Sequence, residues 1–442
     1  MVKKIITYSR KKLALLDVHT IEVLRKSSSS MVVKVLGMIV GVFVSIFVGR
    51  SLGPDGLGII NLSNRIVSLL LVFTMLGMKQ VLVKQIAIGY RRKDFQLVSD
   101  SIYTSSIING FIALVLTILG LVMAPFLAHK VFHAPDLEIP LTVALIVMLP
   151  QTFSRVFGAA LNGFRKIWQS NLVNETLSTW VVGILLASFF LFDLEIDVVK
   201  IAVIYAVGRI VVTSTMIIYW KRIFHFKGKR NWIAKPMLKM SLPMLLVSST
   251  ALIAANADTI MLGWLGSTRE VGLYNVAARI ALLVSFFLQI SNSAISPKLA
   301  ALFAENRKKE IEKMVKSVTS GLIIIATVSL IAFIFLGNFL LGLWGGEFEE
   351  AYWVLVILGI GQFFNISTGC AGLLLIMCGF EGIHSRISLI FVILNLILNY
   401  FFITILGALG AAIATAVTVS GENIVKLIIA KQKVGVSTIP LV

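Results

Sequence analysis

The sequence predicts an all-α protein that crosses a membrane about twelve times, in two six-helix lobes related by a parallel repeat. Three observations predict this fold class: the composition, the recurrence of long apolar runs and a similarity between the two halves. Of the 442 residues, 58% are hydrophobic and only 14% are charged, whereas roughly a quarter of a soluble domain is charged. Because a soluble core cannot hide that much apolar surface, we expect lipid to surround the helices.

The apolar runs are long enough for helices that cross the hydrocarbon layer, which need roughly 20 residues each. The expected spans are 31–49, 59–82, 101–124, 138–157, 171–191, 198–220, 238–264, 272–295, 316–337, 350–377, 385–404 and 408–430. We therefore predict five parts, in this order: a basic N-terminal segment (1–30), an N-lobe (31–220), a basic linker (221–237), a C-lobe (238–430) and a C-terminal tail (431–442).

The charge distribution predicts the orientation of these spans. The net charge is +19, and Lys and Arg concentrate in the N-terminal segment, the linker and every second connection. The intervening connections are acidic. Because cytoplasmic connections are enriched in Lys and Arg, we expect a multi-pass protein of the cell (plasma) membrane with both termini in the cytoplasm. No basic soluble domain is evident, so we expect no nucleic-acid partner.

The two halves of the sequence resemble each other where the second span of each half begins. With a one-residue gap, four residues of the first half match four of the second, namely Gly58, Asn61, Arg65 and Ile66 with Gly272, Asn275, Arg279 and Ile280. Both halves contain six predicted spans and start on the same side. Parallel repeats of this kind are typical of alternating-access transporters, whose substrate site lies between the halves.

Ionisable side chains inside spans are rare and usually face a cavity or a partner. The cations in this position are Arg65, Arg279 and Arg209, with Lys34 at the start of the first span. We expect them to form a cationic cavity that binds pyrophosphate, because the planar guanidinium binds phosphate oxygens in pairs. The alternative is that each arginine bonds within its own lobe, to carbonyls or an acid, with Asp258 as the candidate partner of Arg279.

Three acids inside spans are candidates for ion coupling: Asp258, Glu175 and Glu422. For Asp258, pairing or helix packing is the favoured interpretation. Glu422 precedes Lys426 by four residues, so a helical ion pair is the simpler interpretation there. Asn61 and Asn275 are candidate polar residues of the cavity wall, with interhelical hydrogen bonding as the alternative. We expect no metal site and no cofactor other than H⁺ or Na⁺ as a coupling ion.

Three stretches of the sequence carry a resemblance to a known family: 48–87, 241–303 and the small-residue run GALGAAIATAV at 407–417. The features of the middle stretch are Pro243, Asp258, a G-x-Y-x-x-A-x-R pattern from Gly272 to Arg279, and Pro297. This arrangement resembles the polysaccharide-transport (Wzx-like O-antigen and polysaccharide flippase) branch of the MOP superfamily, which is related to the MATE transporters. The resemblance covers nearly the whole chain.

This resemblance implies two six-helix lobes around a central cavity that is often cationic. It also implies a flippase, which moves a polyprenyl-pyrophosphate-linked oligosaccharide from the inner to the outer leaflet for polysaccharide biosynthesis. The implied partners are the lipid-linked oligosaccharide, membrane lipids and other polysaccharide-assembly proteins. The outer connections are only about a dozen residues long, as in plain helix turns, so we do not expect an enzyme. The alternative is a MATE-like cation-coupled multidrug antiporter, whose cavity should contain acids.

Overall fold

The computed structural model describes the backbone of residues 18–439, with side chains in that range except at 18–31, 174–175, 246–247 and 251. Helices form nearly all of this range, and it contains no strand. The first lobe consists of α1 (18–52) and α2 (54–75), which are the halves of Val18–Met75, then α3 (Met78–Arg92), α4 (Phe95–Phe126), α5 (Glu138–Ile146), α6 (Met148–Gly163), α7 (Ile167–Asn171), a π-helical turn (Leu172–Thr176), α8 (Leu177–Leu191) and α9 (Val198–Ile223). The second lobe consists of α10 (Ala234–Leu265), α11 (Thr268–Ala304), α12 (Lys308–Gly342), α13 (Tyr352–Ser367), α14 (Ala371–Met377), α15 (381–406) and α16 (408–434), the last two being the halves of Glu381–Val434.

Within the described range, eight helical segments are long and apolar enough to cross a membrane. Two of them, Val32–Met75 and Glu381–Val434, each contain a break at a glycine and therefore supply two crossings. Further apolar crossings come from the bent pair Ala234–Leu245 and Ser248–Leu265, and from the shorter Leu177–Leu191. The predicted all-α membrane fold is confirmed, and the helices are consistent with twelve spans.

Two glycines reverse the chain where a loop was expected. Gly53 (φ 66°, ψ −174°) separates α1 from α2, and Gly407 (φ 57°, ψ −131°) separates α15 from α16. These dihedral angles are accessible to glycine because it has no Cβ. In the alignment of the two halves, Gly53 matches Gly266, which follows α10. Both lobes therefore make their first turn at an equivalent glycine.

Several helix boundaries differ from the predicted spans. Helix α9 continues to Ile223 and α10 begins at Ala234, so the connection between the lobes is only 224–233. The predicted span 59–82 is interrupted at Leu76 and Gly77, because both residues have positive φ angles (43° and 72°) that end α2. The predicted span 350–377 is likewise divided, between α13 and α14.

The two lobes contact each other mainly where α11 packs against the α1–α2 segment Val18–Met75, and α2 and α11 are equivalent helices of the repeat. A Cβ atom on Gly58 would lie 1.8 Å from the carbonyl oxygen of Thr268, and one on Gly272 would lie 2.0 Å from that of Pro54. Only glycine permits backbones to approach so closely. Because Gly58 and Gly272 are matched residues of the repeat, the pseudo-twofold axis between the lobes passes near this contact.

Side chains reinforce the contact at the end of the molecule where Gly53 lies, which we call the Gly53 end. The indole Nε1 of Trp344 in the second lobe donates to Ser45 Oγ in the first lobe (3.0 Å). In the opposite direction, Arg50 Nε donates to the Leu343 carbonyl (2.8 Å). At the other end, which we call the linker end, Gln80 Nε2 donates to Ser248 Oγ (2.9 Å).

An exposed cluster of charged residues also links the two lobes at the Gly53 end. Arg269 forms salt bridges with Glu347 (3.0 Å) and Glu350 (2.9 Å) in its own lobe, and with Asp55 of the first lobe (3.8 Å). Exposed ion pairs are typically worth less than about 1 kcal/mol each. The close backbone packing of α2 on α11 therefore contributes more to closing this end than these charges do.

Candidate functional site

Four half-buried arginines lie in the helices on both sides of the lobe interface: Arg65 on α2, Arg155 on α6, Arg209 on α9 and Arg279 on α11. Arg279 is close enough to Arg65 for electrostatic interaction, and Arg209 is similarly close to Arg155. Tyr205 lies within electrostatic range of both Arg279 and Arg209, and it lines the same cavity as Arg155 and Arg209. We call these five residues the arginine cluster. Three of its arginines were predicted site residues.

Arg155 was missed because the predicted span ended at 157, which placed this residue beside a cytoplasmic connection. In the structure, α6 continues to Gly163, so Arg155 lies in the middle of a helix. The small residues at 158–160 allow neighbouring helices to pack closely. Their position after Arg155 was the signal in the sequence that the helix, and with it Arg155, lies inside the helical bundle.

The two matched arginines of the repeat each reach the opposite lobe. Arg65 Nη1 donates to the Ala255 carbonyl and to Asn256 Oδ1, both at 3.4 Å on α10. Arg279 Nη1 donates to the Gly41 carbonyl on α1 at 2.7 Å. In the alignment of the halves, Gly41 falls within one residue of Ala255. The contacts are therefore reciprocal, and they cross between the lobes, whereas the alternative from the sequence placed them within one lobe.

The positive charge of the cluster is not neutralised by ion pairing among the described side chains. The salt bridges found there involve other residues. Asp258 lies within electrostatic range of Arg65, but the two side chains form no salt bridge in the described part of the chain. A guanidinium has five N–H donors, and the bond to Gly41 engages one nitrogen of Arg279. Donors and positive charge therefore remain available to an anionic ligand.

A cavity of about 250 Å³ opens beside Arg155 and Arg209 in the first lobe. Its wall also includes Tyr205 and Gln151, whose buried Nε2 has no hydrogen-bond partner among the described residues. Arg209 Nη2 is held by Asn64 Oδ1 at 2.7 Å. A liquid water occupies about 30 Å³, so this polar space can hold several water molecules or a small anionic group.

Asp258 is the centre of a polar network inside the second lobe. Its Oδ2 accepts from Tyr274 Oη (2.6 Å) and Thr415 Oγ1 (2.8 Å), and its Oδ1 accepts from Asn399 Nδ2 (2.7 Å). Asn399 also donates to Asn395 Oδ1 (3.0 Å). The partners come from α11, α15 and α16, and the pairing with Arg279 considered from the sequence is not observed. Carboxylate, amide and hydroxyl oxygens of this kind can hold a proton or a small hard cation.

The other candidate charges differ in their surroundings. Glu422 Oε1 accepts from Lys426 Nζ (2.5 Å) and Ser388 Oγ (2.7 Å), as the helical-pair interpretation anticipates. Lys34 is exposed on α1, and its place in the cavity stays a prediction. Glu175 lies in the π-helical turn before α8, and its side chain is outside the described residues. Ion coupling through either acid stays a prediction.

The two matched asparagines are both half-buried. Asn275 Nδ2 donates to the Val271 carbonyl (2.8 Å), and its Oδ1 accepts from Thr259 Oγ1 (3.3 Å), so this side chain is engaged within its own lobe. Asn61 lies one turn from Arg65 on α2. A role for both in lining a path for sugars stays a prediction.

Comparison of the sequence with known families gives a match to the family described as polysaccharide biosynthesis protein, over residues 23–303. The capsular polysaccharide biosynthesis protein CapF of Staphylococcus aureus is 24% identical over 70% of this chain and 79% of its own. The probable low-salt glycan biosynthesis flippase Agl15 of Haloferax volcanii is 22% identical over 84% of this chain and 76% of its own.

Two solved structures have the same fold. One is the inward-facing conformation of a multidrug resistance MATE family transporter of the MOP superfamily, with a TM-score of 0.73, 17% identity and coverage of 90% of this chain and 94% of that chain. The other is the lipid II flippase MurJ in an inward closed conformation, with a TM-score of 0.69, 16% identity and coverage of 91% and 87%.

The matched region extends from α1 through α11 and thus includes Arg65, Arg209, Arg279 and Asp258. The similarity to solved structures covers both lobes. The chain therefore belongs to the family of polysaccharide biosynthesis proteins, and it has the two-lobed fold of the MOP superfamily.

Proposed function

We propose that this protein is a flippase that moves a polyprenyl-pyrophosphate-linked oligosaccharide from the inner to the outer leaflet by alternating access, for polysaccharide biosynthesis. The observation on which the proposal chiefly rests is the arginine cluster, where Arg65 and Arg279 extend across the lobe interface without a carboxylate partner among the described side chains. Flippases of glycan biosynthesis among the relatives support the same function. The proposed activity is transport without covalent chemistry.

The chemistry of the proposed substrate fits the arrangement of charge. A pyrophosphate cannot cross hydrocarbon unaided, because an unpaired charge in an apolar medium is very unfavourable. Guanidinium groups bind phosphate oxygens through paired, charge-assisted hydrogen bonds. A cleft lined by charge of one sign in low-dielectric surroundings also concentrates counter-ions. The arginine cluster therefore offers the pyrophosphate a favourable place between the leaflets.

The lipid tail has a separate place. An apolar groove of about 660 Å³ lies between α1 and α8, and its wall includes Phe43, Phe47 and Ile184. Gly41, the acceptor for Arg279, lies on the same helix α1 as Phe43 and Phe47. We infer that α1 separates tail from headgroup: the tail lies in the groove on the lipid side while the pyrophosphate reaches the cluster on the other side.

The reciprocal contacts suggest how substrate binding and lobe movement are coupled. In this state the Ala255 and Gly41 carbonyls each accept from an arginine of the other lobe. A bound pyrophosphate would compete for the same N–H groups, because its ionised oxygens can accept in pairs from one guanidinium, whereas each carbonyl is neutral. Binding would thus replace the contacts of Arg65 and Arg279 with the opposite lobe, and it would favour separation of the two lobes.

For the coupling ion, we propose Asp258 as the binding group and H⁺ or Na⁺ as the ion. Its three donors are neutral, so the carboxylate charge is not already compensated by a salt bridge within the described residues. Glu422 is paired with Lys426 instead. We expect Asp258→Asn to remove the dependence of transport on the coupling gradient. Transport that still follows the gradient in this variant would assign coupling elsewhere.

The decisive test of function uses a deletion strain followed by extraction of membrane lipids. The proposal predicts that lipid-linked oligosaccharide accumulates in the inner leaflet and that export stops. Restoration should require Arg65 and Arg279: Arg65→Gln and Arg279→Gln should insert normally yet export poorly. Lys309→Gln, which removes an exposed cation at the linker end, is the matched control and should restore export fully. Normal export by both arginine variants would refute the assigned site.

A multidrug antiporter is the second candidate, because a MATE transporter has a similar fold. The cationic cluster disfavours it, since cationic drugs require acids in the cavity. In the same deletion strain, an antiporter predicts unchanged lipid-linked oligosaccharide and new sensitivity to cationic dyes. That result would replace the proposed function.

A further inference from the structure

A separate cavity of about 530 Å³ lies at the linker end of the first lobe, away from the arginine cluster. It is a groove between α4 and α9, which both pack against α6. Apolar residues form its walls: Ile102 and Ile107 from α4, Ile217 from α9 and Phe157 from α6. Ile107 is exposed, so the groove opens towards the surface that faces lipid. We call this cavity the linker groove.

Three cations form the rim of the linker groove: Lys221, Lys227 and Arg230. No acidic residue lines it, and within the described part of the chain none of the three forms a salt bridge. The Arg230 guanidinium lies 5.7 Å from the centre of the Tyr103 ring, which keeps it above the opening. The rim therefore presents uncompensated positive charge beside an apolar channel.

The linker is anchored to the first lobe, and these anchors fix the rim in place. Asp100 accepts from the Asn231 backbone N–H (2.8 Å) and from its side chain (3.1 Å). Gln96 Nε2 donates to the Lys229 carbonyl at 2.7 Å. Because Asp100 is engaged by Asn231 and Gln96, it is not the partner of the rim cations. A preformed site loses less conformational freedom on binding than a mobile tail does.

Aromatic rings place this site at the level of the lipid headgroups. Trp220 packs against Phe164 (ring centres 5.1 Å apart) and Phe224 (5.3 Å), and Phe224 stacks on Phe226 (6.4 Å). Trp220, Phe224 and Phe226 all line the linker groove. Trp and Tyr concentrate at membrane–water interfaces, and Trp220 and Tyr103 both line the groove. The apolar walls therefore lie on the hydrocarbon side of this layer and the cations on its aqueous side.

We propose that the linker groove binds an anionic phospholipid of the leaflet at the linker end. Lys221, Lys227 and Arg230 hold the phosphate, and an acyl chain lies between α4 and α9 against Phe157. The net charge of the headgroup determines the selectivity, because a zwitterionic lipid brings an ammonium group close to three cations. This site is distinct from that of the transported substrate, so its test does not depend on the proposed function.

The experiment is native mass spectrometry of the purified full chain with dioleoyl phosphatidylglycerol or dioleoyl phosphatidylcholine. The proposal predicts retention of phosphatidylglycerol in preference to phosphatidylcholine. Replacing the rim together, as Lys221→Gln, Lys227→Gln and Arg230→Gln, should weaken phosphatidylglycerol retention by about tenfold or more, since each basic residue near anionic lipid contributes appreciably. Ser106→Trp keeps every charge but places a large ring in the groove, where the acyl chain would lie, so it should also reduce retention.

The matched control removes three exposed cations at the same end of the second lobe, as Lys308→Gln, Lys309→Gln and Lys313→Gln. It should leave retention unchanged. Equal loss in this control would show general attraction to a basic surface and overturn the proposal, as would full retention after the rim is replaced. Glycerol phosphate is the probe without acyl chains. If it binds as tightly as the whole lipid, the groove takes no part and the proposal is wrong.

Discussion

Adding one methyl group where the lobes touch should shift the balance between lobe arrangements. In Gly58→Ala, the new Cβ would lie 1.8 Å from the Thr268 carbonyl oxygen, whereas real Cβ contacts essentially never fall below 3.0 Å. Helices α2 and α11 must therefore separate by about 1.2 Å. Overpacking of this kind typically destabilises the crowded state by about 1–3 kcal/mol. If α2 and α11 are farther apart in the alternative lobe arrangement, the added methyl group does not destabilise that arrangement. Its population relative to the arrangement described here then rises about 5- to 150-fold.

Distances between spin labels at the Gly53 end measure this shift. Glu195 in the first lobe and Gly346 in the second are both exposed, so cysteines there can be labelled, whereas the two native cysteines are buried. We expect the distance distribution of Gly58→Ala to move towards longer values. Gly272→Ala, at the matched position of the repeat, should act in the same direction.

Gly321→Ala is the control, because a Cβ there meets no atom within 4 Å and only the helix is affected. Its labels should report the wild-type distances. If Gly58→Ala and Gly321→Ala give the same distance distribution, the close contact of α2 with α11 does not determine which lobe arrangement is populated.

Trp344, Glu422 and Arg155 each have a role that a single substitution tests. Trp344→Phe removes the hydrogen bond to Ser45, so cysteines introduced at the Gly53 end should be labelled about two- to tenfold more, which corresponds to the free energy of one hydrogen bond. Unchanged labelling would contradict a role of this bond in closing that end. Glu422→Gln leaves Lys426 buried without its ionic partner and should lower the free energy of unfolding by up to about 3 kcal/mol. The double variant with Lys426→Met should regain much of the lost stability, and thermal melts measure both changes. Arg155→Gln should insert normally but reduce glycan export, and export at the wild-type rate would remove Arg155 from the site.

The all-helical class and the two-lobed arrangement could be predicted because lipid imposes simple requirements on the sequence. A crossing helix needs a long apolar run, and a transporter repeat leaves matched residues such as Gly58 and Gly272. The same matching indicated Arg65 and Arg279. Their position facing the opposite lobe depends on how the lobes pack, and sequence periodicity within one helix does not contain that information.

The network around Asp258 shows a second limit. Its partners Tyr274, Asn399 and Thr415 are 16 to 157 residues away along the chain. Nothing in the local sequence links Asn399 to Asp258, so this contact could not be predicted. The turns at single glycines were also not predicted. The sequence around Gly53 indicates a loop between two spans, whereas in the structure the positive φ of Gly53 lets α1 continue directly into α2.

Calorimetric titration of the purified protein with farnesyl pyrophosphate measures whether Arg65 and Arg279 bind a pyrophosphate. Two charge-assisted hydrogen bonds at about 1.5–3 kcal/mol each imply that Arg65→Gln with Arg279→Gln weakens binding by about 100-fold or more. Replacing Lys309 with Gln should leave the affinity unchanged. Wild-type affinity in the double variant, or equal binding of uncharged farnesol, would show that these arginines do not bind the pyrophosphate.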